Sequence, residues 1–403
     1  MPSARTALLV LTGINLLNYL DRYVVAALVP KLSEPPPLGL GLSDAQNGWL
    51  ASGFVIVYLL TAPLFGSLAD RHSRPLLIAA GVAIWAVATG AGALAIGFAT
   101  LFAARSLVGV GEAAYGTAAP ALLADLFPAE RRGRVFAVFY AAIPLGAALG
   151  FAVGGAAAQH LGWRAAFLVA AAPGLLLAGA AAVLREAPRT ASAAAPRDWR
   201  GELAAYVGML RLPAYTLAVL GYAAYTFALG ALAFWTPTFF ERVRGLSAAQ
   251  ATIAFGASLA ATGLAGTLLG GWLADRLRAH VRRADLWVCG ASMLLAAPLV
   301  AIAVRAEAPA LYLPAIVGAE LLLFLSTGPV NTALVNAVAP HARARAMALS
   351  IVAIHLLGDV PSPPLIGWIA ERSTLGAAML LIPAAVLVSG LLWSIAALRR
   401  ESA

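Results

Sequence analysis

The sequence predicts an all-α integral membrane protein with twelve transmembrane helices in two six-helix halves, and three observations predict it. Of 403 residues, 62% are hydrophobic and only 11% charged, with a mean hydropathy of +0.86, whereas a soluble domain carries about 25% charged residues. Apolar runs long enough to cross a bilayer recur along the chain. A glycine followed by an Asp-Arg pair recurs after the second run of each half, at Gly66 to Arg71 and Gly270 to Arg276, which marks an internal duplication.

In chain order, the apolar runs fall near 6–29, 46–69, 75–97, 99–126, 134–159, 163–184, 213–240, 248–274, 285–304, 309–338, 344–370 and 376–398. The third and fourth are parted only by a tight turn near Phe98. The N-terminal run is too long for a signal peptide and lacks a small-residue cleavage site, so it is expected to remain as the first span. A polar stretch from Arg185 to Arg211, containing Pro188 and Pro196, separates the halves. The expected organisation is an N-terminal bundle over 1–187, a central loop over 188–212 and a C-terminal bundle over 213–403.

The basic residues orient these spans. With both termini and the central loop in the cytoplasm, nineteen of the 27 basic side chains fall on that side. Lys31, Arg164, Arg242, Arg244, Arg305 and Arg372 fall outside, which satisfies the positive-inside rule. Only Arg22 and Arg105 remain within the membrane. The net charge of +9 thus belongs to short loop clusters and does not point to nucleic acid. A monomer in a bacterial inner membrane is expected, with both termini cytoplasmic.

Asn18-Tyr19-Leu20-Asp21-Arg22 sets an acid beside a base inside the first span. A charge near the bilayer centre costs about 2.5–3.5 kcal/mol on insertion scales, so both must face protein or water and are functional candidates. Arg105 and Glu112 in the fourth span are seven residues apart, on one helix face and about 10 Å apart along the axis. All four charges fall in one layer. A static ion network is the plainer reading, but buried pairs stabilise weakly and usually need another justification.

A carboxyl in apolar surroundings keeps its proton unless a cation stands beside it, so an arginine that turns toward an anionic substrate leaves its acid to take up a proton. Asp21 and Glu112 are therefore expected to carry coupled protons. Arg22 and Arg105 are expected to engage an anionic substrate beside Asn18 and Tyr19. Gly146, Gly150, Gly154 and Gly155 in the fifth span suit close helix packing. Gly66, Asp70, Arg71 and Arg74, repeated as Gly270, Asp275 and Arg276, are expected to gate: the glycine admits a close helix approach and the acid forms a latch. In the second copy the base equivalent to Arg74 is displaced to Arg278.

The second half places Glu320 mid-span in the tenth run, followed by Ser326, Thr327 and Asn331. The eleventh contains His355 and Asp359 at i and i+4, facing one another, with Pro361, Pro363 and Pro364 beyond them to interrupt the helix ladder. Glu320, His355 and Asp359 join the expected proton-coupling set. Tyr222, Tyr225 and Asn331 join the substrate set, with Phe227, Phe234 and Trp235 supplying apolar wall. The single Cys289 excludes an intramolecular disulfide and a cysteine-based metal site. Five scattered histidines supply neither a metal cluster nor a nucleophile with its base, so no enzyme activity, metal or cofactor is expected.

The repeated Gly-x-x-x-Asp-Arg loop, the twelve spans, the long central loop and the fourth-span Arg105, Gly109 and Gly111 resemble the major facilitator superfamily of secondary transporters over the whole chain. Asn18 to Arg22, Gly109-Val110-Gly111-Glu112-Ala113, Glu320, and His355-Leu356-Leu357-Gly358-Asp359 with Ser362-Pro363 resemble, more narrowly, its Spinster family of lipid transporters. The resemblance implies a major-facilitator-type fold of two pseudo-symmetric bundles, with the first and fourth helices lining a central cavity, and alternating access. It also implies proton-linked transport of lysophospholipids or sphingosine-1-phosphate-like lipids. The alternatives are a drug/proton antiporter for lipophilic cations, in which the acids and not the arginines would contact substrate, and an uncoupled lipid scramblase, which would ignore a proton gradient.

Overall fold

The structure, a computed structural model, describes residues 4–186, 206–339 and 342–399. Most of the expected central loop lies outside them, as do the side chains of a few helical residues, Asp70 among them. The described residues are helical, with no strand. In order the helices are α1 (Ala4–Ser33), α2 (Asp44–Arg71), α3 (Arg74–Gly92), α4 (Phe98–Leu126), α5 (Ala129–His160) and α6 (Trp163–Ala182). Then follow α7 (Pro213–Arg242), α8 (Ala248–Arg278), α9 (Ala284–Arg305), α10 (Pro309–Leu325) and α11 (Thr327–Asn336). The chain finishes with α12 (Arg343–Ile354), α13 (Ser362–Arg372), α14 (Leu375–Ala378) and α15 (Leu381–Leu398).

Eleven helical stretches in the described residues are long and apolar enough to cross a membrane; Pro309–Asn336, Arg345–Arg372 and Leu375–Leu398 each count as one span. The exception is α1. Its 30 residues are sufficient in length, but Asn15, Asn18, Asp21 and Arg22 lower its apolarity. The run at 75–97 ends as helix at Gly92, because residues 93–95 close short turns onto Gly90, Ala91 and Gly92, where glycine weakens a helix.

By compactness the chain divides into two units. The first comprises Met1–Thr190, Ala233–Ala260 and Pro363–Glu371, and the second Ala191–Leu232, Ala261–Ser362 and Arg372–Ala403.

In the first unit α1 lies along α5, and α4 packs on both α2 and α3. Glycine makes this possible. A Cβ at Gly146 would stand 2.4 Å from the Leu16 carbonyl oxygen, and one at Gly150 would stand 2.5 Å from that of Leu20. The stripe seats the backbone of α1 directly on α5 at the level of Asp21. On α4, Gly109 abuts the carbonyl of Phe54 in α2, and Gly111 abuts Gly81 and Trp85 in α3, which fixes the height and rotation of Glu112. Leu11, Ile14, Trp85, Val108, Tyr115 and Phe139 belong to the surrounding apolar core. Its polar members are satisfied across helices: the Tyr115 hydroxyl donates to the Leu11 carbonyl, and Asn15 Nδ2 to that of Phe139.

In the second unit α9 packs against α10 and α15. Trp393 Nε1 donates to the Ala218 carbonyl and Ser389 Oγ to that of Gly221, tying α15 to α7. The tenth span breaks at Ser326, whose hydroxyl lies 3.0 Å from that of Ser292. The eleventh widens to a π-turn over His355–Asp359, closed by the Val360 N–H on the His355 carbonyl. Pro361, Pro363 and Pro364 lack the N–H groups that would continue an α ladder, and the Pro361 ring would collide with the carbonyl four residues back. One extra residue in the turn relieves that collision, and such bulges recur at functional sites.

Candidate functional site

The four intramembrane charges of the first half meet as two crossed pairs. Arg105 Nη1 lies 3.0 Å from Asp21 Oδ2, with both side chains 1% exposed. Thr89 in α3 donates its hydroxyl to the same oxygen at 3.0 Å. Arg22 Nε lies 2.9 Å from Glu112 Oε2, and Nη2 contacts the same oxygen. Neighbours in sequence thus take partners two helical turns apart on α4.

The two pairs differ in access. Glu112 is sealed at 1% exposure, but the Arg22 side chain is 26% exposed, and its guanidinium stands 5.0 Å from the ring centres of both Tyr19 and Phe54. Arg105 is 5.7 Å from the same Phe54 ring. Each carboxylate gives one oxygen to its arginine. The other, Asp21 Oδ1 or Glu112 Oε1, is buried without a hydrogen-bond partner among the described residues, as is Arg105 Nε. A bare buried oxygen is costly. Asn18 is buried on the same helix and Tyr19 half-buried.

A second polar set of the first unit went unread in the sequence, where Arg242 passed as an outside anchor. Arg242 Nη1 lies 2.7 Å from Asp44 Oδ1 in the first turn of α2, and Nη2 donates to Ser33 Oγ at 2.9 Å. Glu371 accepts the Ala45 N–H at 2.8 Å. Gly48 and Gly367 bring the backbones of α2 and α13 together, against Pro363 and Asp44 respectively. Segments distant in the chain are clamped here.

Of the expected latch, Arg74 pairs with Asp125 and receives Glu186 at its backbone N–H, 3.1 Å away. Arg71 is exposed, and the Asp70 side chain lies outside the described residues. Gly66 departs from expectation, since a Cβ there would meet nothing within 4 Å among the described residues. The close approach occurs at its repeat: a Cβ at Gly270 would stand 2.0 Å from the Leu325 carbonyl oxygen. Asp275 binds Arg278 at 2.6 Å, and Arg276 stands over Trp272.

In the second unit Glu320 is fully buried and accepts the Thr262 hydroxyl at 3.2 Å. His355 Nδ1 lies 2.9 Å from both oxygens of Asp359, on the π-turn. Gly358 makes that turn fit, its α-carbon facing Thr226 and the Ala223 carbonyl. Tyr222 and Tyr225 are 5.9 Å apart, and the Tyr225 hydroxyl is 3.5 Å from Thr327 Oγ1. Asn331 Nδ2 donates to the Thr327 carbonyl. Phe234 and Trp235 are buried, with Trp235 Nε1 bonded to the Pro363 carbonyl, so Trp235 serves packing.

Sequence reasoning missed Thr89, Phe54, Thr262, and the Asp44 and Arg242 pair. Thr89 gave a faint signal as a hydroxyl deep inside an apolar run. Phe54 gave none.

Residues 11–358 match the profile of the Major Facilitator Superfamily. Protein spinster homolog 1 of Homo sapiens is 37% identical over 401 residues, covering 91% of this chain and 74% of that protein. The sphingosine-1-phosphate transporter SPNS2 of Mus musculus is 32% identical, covering 95% and 75%. In fold, a solved bacterial homolog of the human lysosomal transporter Spinster matches with a TM-score of 0.82 at 24% identity, covering 98% of this chain and 96% of that one. A D-xylose-proton symporter matches with a TM-score of 0.75 at 18% identity, covering 97% of each.

Proposed function

The chain belongs to the Spinster branch of the major facilitator superfamily, a superfamily of secondary transporters and not of enzymes, and from that premise we propose that it carries an anionic single-chain lipid across the membrane by alternating access, coupled to protons. The substrate class is a lysophospholipid or a sphingosine-1-phosphate-like lipid, as the name of the mouse relative suggests. The observation that carries the reading is the crossed pairing, in which one partly exposed arginine is held by a sealed acid with a bare oxygen. A phosphate head that draws Arg22 away leaves Glu112 without its cation, and a proton on Oε1 restores neutrality. Asp21 also keeps one bare oxygen beside Arg105, but both side chains of that pair are sealed. Tyr19 and Phe54 flank the head; in the second unit, Tyr222, Tyr225 and Asn331 are further candidate substrate contacts.

Glu320 and the His355 and Asp359 pair are the further candidate proton carriers. Asp44, Arg242 and Glu371 act as a gate, and the Asp70 and Arg74 region of the first unit and the Asp275 region of the second are the further candidate gating elements. The arginine bias puts these further elements and both termini in the cytoplasm.

The test is uptake into proteoliposomes. A lysophospholipid should accumulate when an inward proton gradient is imposed and merely equilibrate without one. Equal flux in both conditions would remove the coupling and leave a scramblase. Driven transport of a lipophilic cation that survives Arg22→Ala would replace the reading with a drug antiporter.

A further inference from the structure

The second unit holds a cavity of about 650 Å³ at the end where α8 turns into α9, in the range of small-molecule sites. Its polar rim contains Arg211, Arg278, Arg283 and Arg399 against one acid, Asp285; its inner wall is apolar, with Ala218 and Ala337. The acid is already engaged. Arg278 Nη2 lies 2.8 Å from Asp285 Oδ1, and its Nη1 reaches Asp275. Arg283 is held in the left-handed region, at φ 57, with Nη1 donating to the carbonyls of Ala396 and Arg399 at 2.7 and 2.6 Å. Its charge is therefore fixed at the rim. Arg211 and Arg399 differ: among the described residues their guanidinium groups have no hydrogen bond or ion pair. Helices α7 and α9 both begin in this wall, at Pro213 and Ala284, and direct the positive ends of their dipoles toward it.

A cavity with a net positive rim, two uncommitted arginine forks and an apolar inner wall asks for an anion with an organic body. We propose that it binds a phosphate ester, either the headgroup of an anionic phospholipid or a soluble compound of the same chemistry. Arginine forks match phosphate oxygens, and basic pockets between spans hold anionic headgroups. The site shares no residue with the crossed pairs of the first unit, so it is a separate binding site and stands whether or not those pairs carry substrate.

The test is the melting temperature of the purified full chain in nanodiscs. One arm compares phosphatidylcholine discs with discs containing phosphatidylglycerol; the other adds glycerol 3-phosphate to phosphatidylcholine discs, with sodium chloride at matched ionic strength as control. Binding raises the melting temperature in proportion to ln(1 + [L]/Kd). A shift in the first arm identifies a lipid headgroup as the ligand, and one in the second a soluble ester. Arg211→Ala combined with Arg399→Ala should weaken the apparent affinity about tenfold or more. Ala337→Trp, which narrows the cavity at its inner wall and leaves every charge in place, should reduce the shift. No shift in either arm, or a shift that the double variant or Ala337→Trp keeps at wild-type size, overturns the proposal.

Discussion

Arg105 cannot be removed without leaving Asp21, as deeply buried as itself, as an uncompensated charge. Breaking such a pair costs about 3–5 kcal/mol, so Arg105→Ala should lower the melting temperature strongly, whatever it does to transport. Arg22 is different, since its side chain is partly open to solvent, which can take its place beside Glu112. Arg22→Ala should keep most of its stability and lose about ten- to a hundredfold in affinity for a phosphate-bearing lysolipid, the worth of a charge-assisted hydrogen bond of about 1.5–3 kcal/mol. Ligand-dependent thermal shifts on both variants check the contrast. Coupling is tested with Glu112→Gln and Asp21→Asn, whose amides imitate the neutral acid permanently. Each should lose its response to an imposed pH gradient and still exchange lipid down its own gradient. Thr89 can donate to the amide oxygen as it does to Asp21, which favours a folded Asp21→Asn. A stable variant with wild-type gradient dependence would move the proton to Glu320 or to His355 and Asp359.

Helix α5 acts on the site without contributing a charge to it, because Gly146 and Gly150 decide where α1 sits. Gly150→Val should press against the Leu20 carbonyl, shift Asp21 and Arg22 away from α4, and abolish uptake with a clear fall in melting temperature. Gly66→Ala should be nearly silent in both measurements, because among the described residues nothing stands within 4 Å of a Cβ there. An equal loss in both variants would show that glycine composition matters and the α1 and α5 contact does not. The helices themselves were legible because a bilayer forces apolar runs of a set length, and the π-turn was foreshadowed by the prolines after Asp359. The glycines were legible as small residues but not as contacts, for a glycine does not announce its neighbour. Spacing likewise put Arg105 and Glu112 on one face of α4, yet the crossed pairing depends on how α1 is rotated against α4, which no single helix encodes. Thr89 stayed hidden because a threonine inside a helix usually bonds to its own backbone.

For the whole molecule, the clamp of Asp44, Ser33, Arg242 and Glu371 joins the start of α2 to the ends of α7 and α13, and the proposed alternating-access cycle is expected to open it. Asp44→Cys with Arg242→Cys, bridged by a short bifunctional thiosulfonate, should stop uptake, and reductant should restore it. Cys289 is buried and should not react. Full activity in the bridged protein would mean that this contact does not move during the cycle.

The polarity of α1 also bears on how the protein is made. The partners of Asp21 and Arg22 lie 84 and 90 residues further along the chain, and synthesis proceeds at about 5–20 residues per second. For roughly 4–18 s after it emerges, then, the first helix carries two charges without their later partners, and among the described helices of span length it is the least apolar. It is expected to wait beside the insertion machinery, or at the membrane surface, until α4 arrives. In nascent chains arrested before Glu112, a single cysteine placed at Val25 should react with a membrane-impermeant maleimide, and in those arrested after α5 it should be protected. If it is protected at both lengths, the charges of α1 find shelter by some other route.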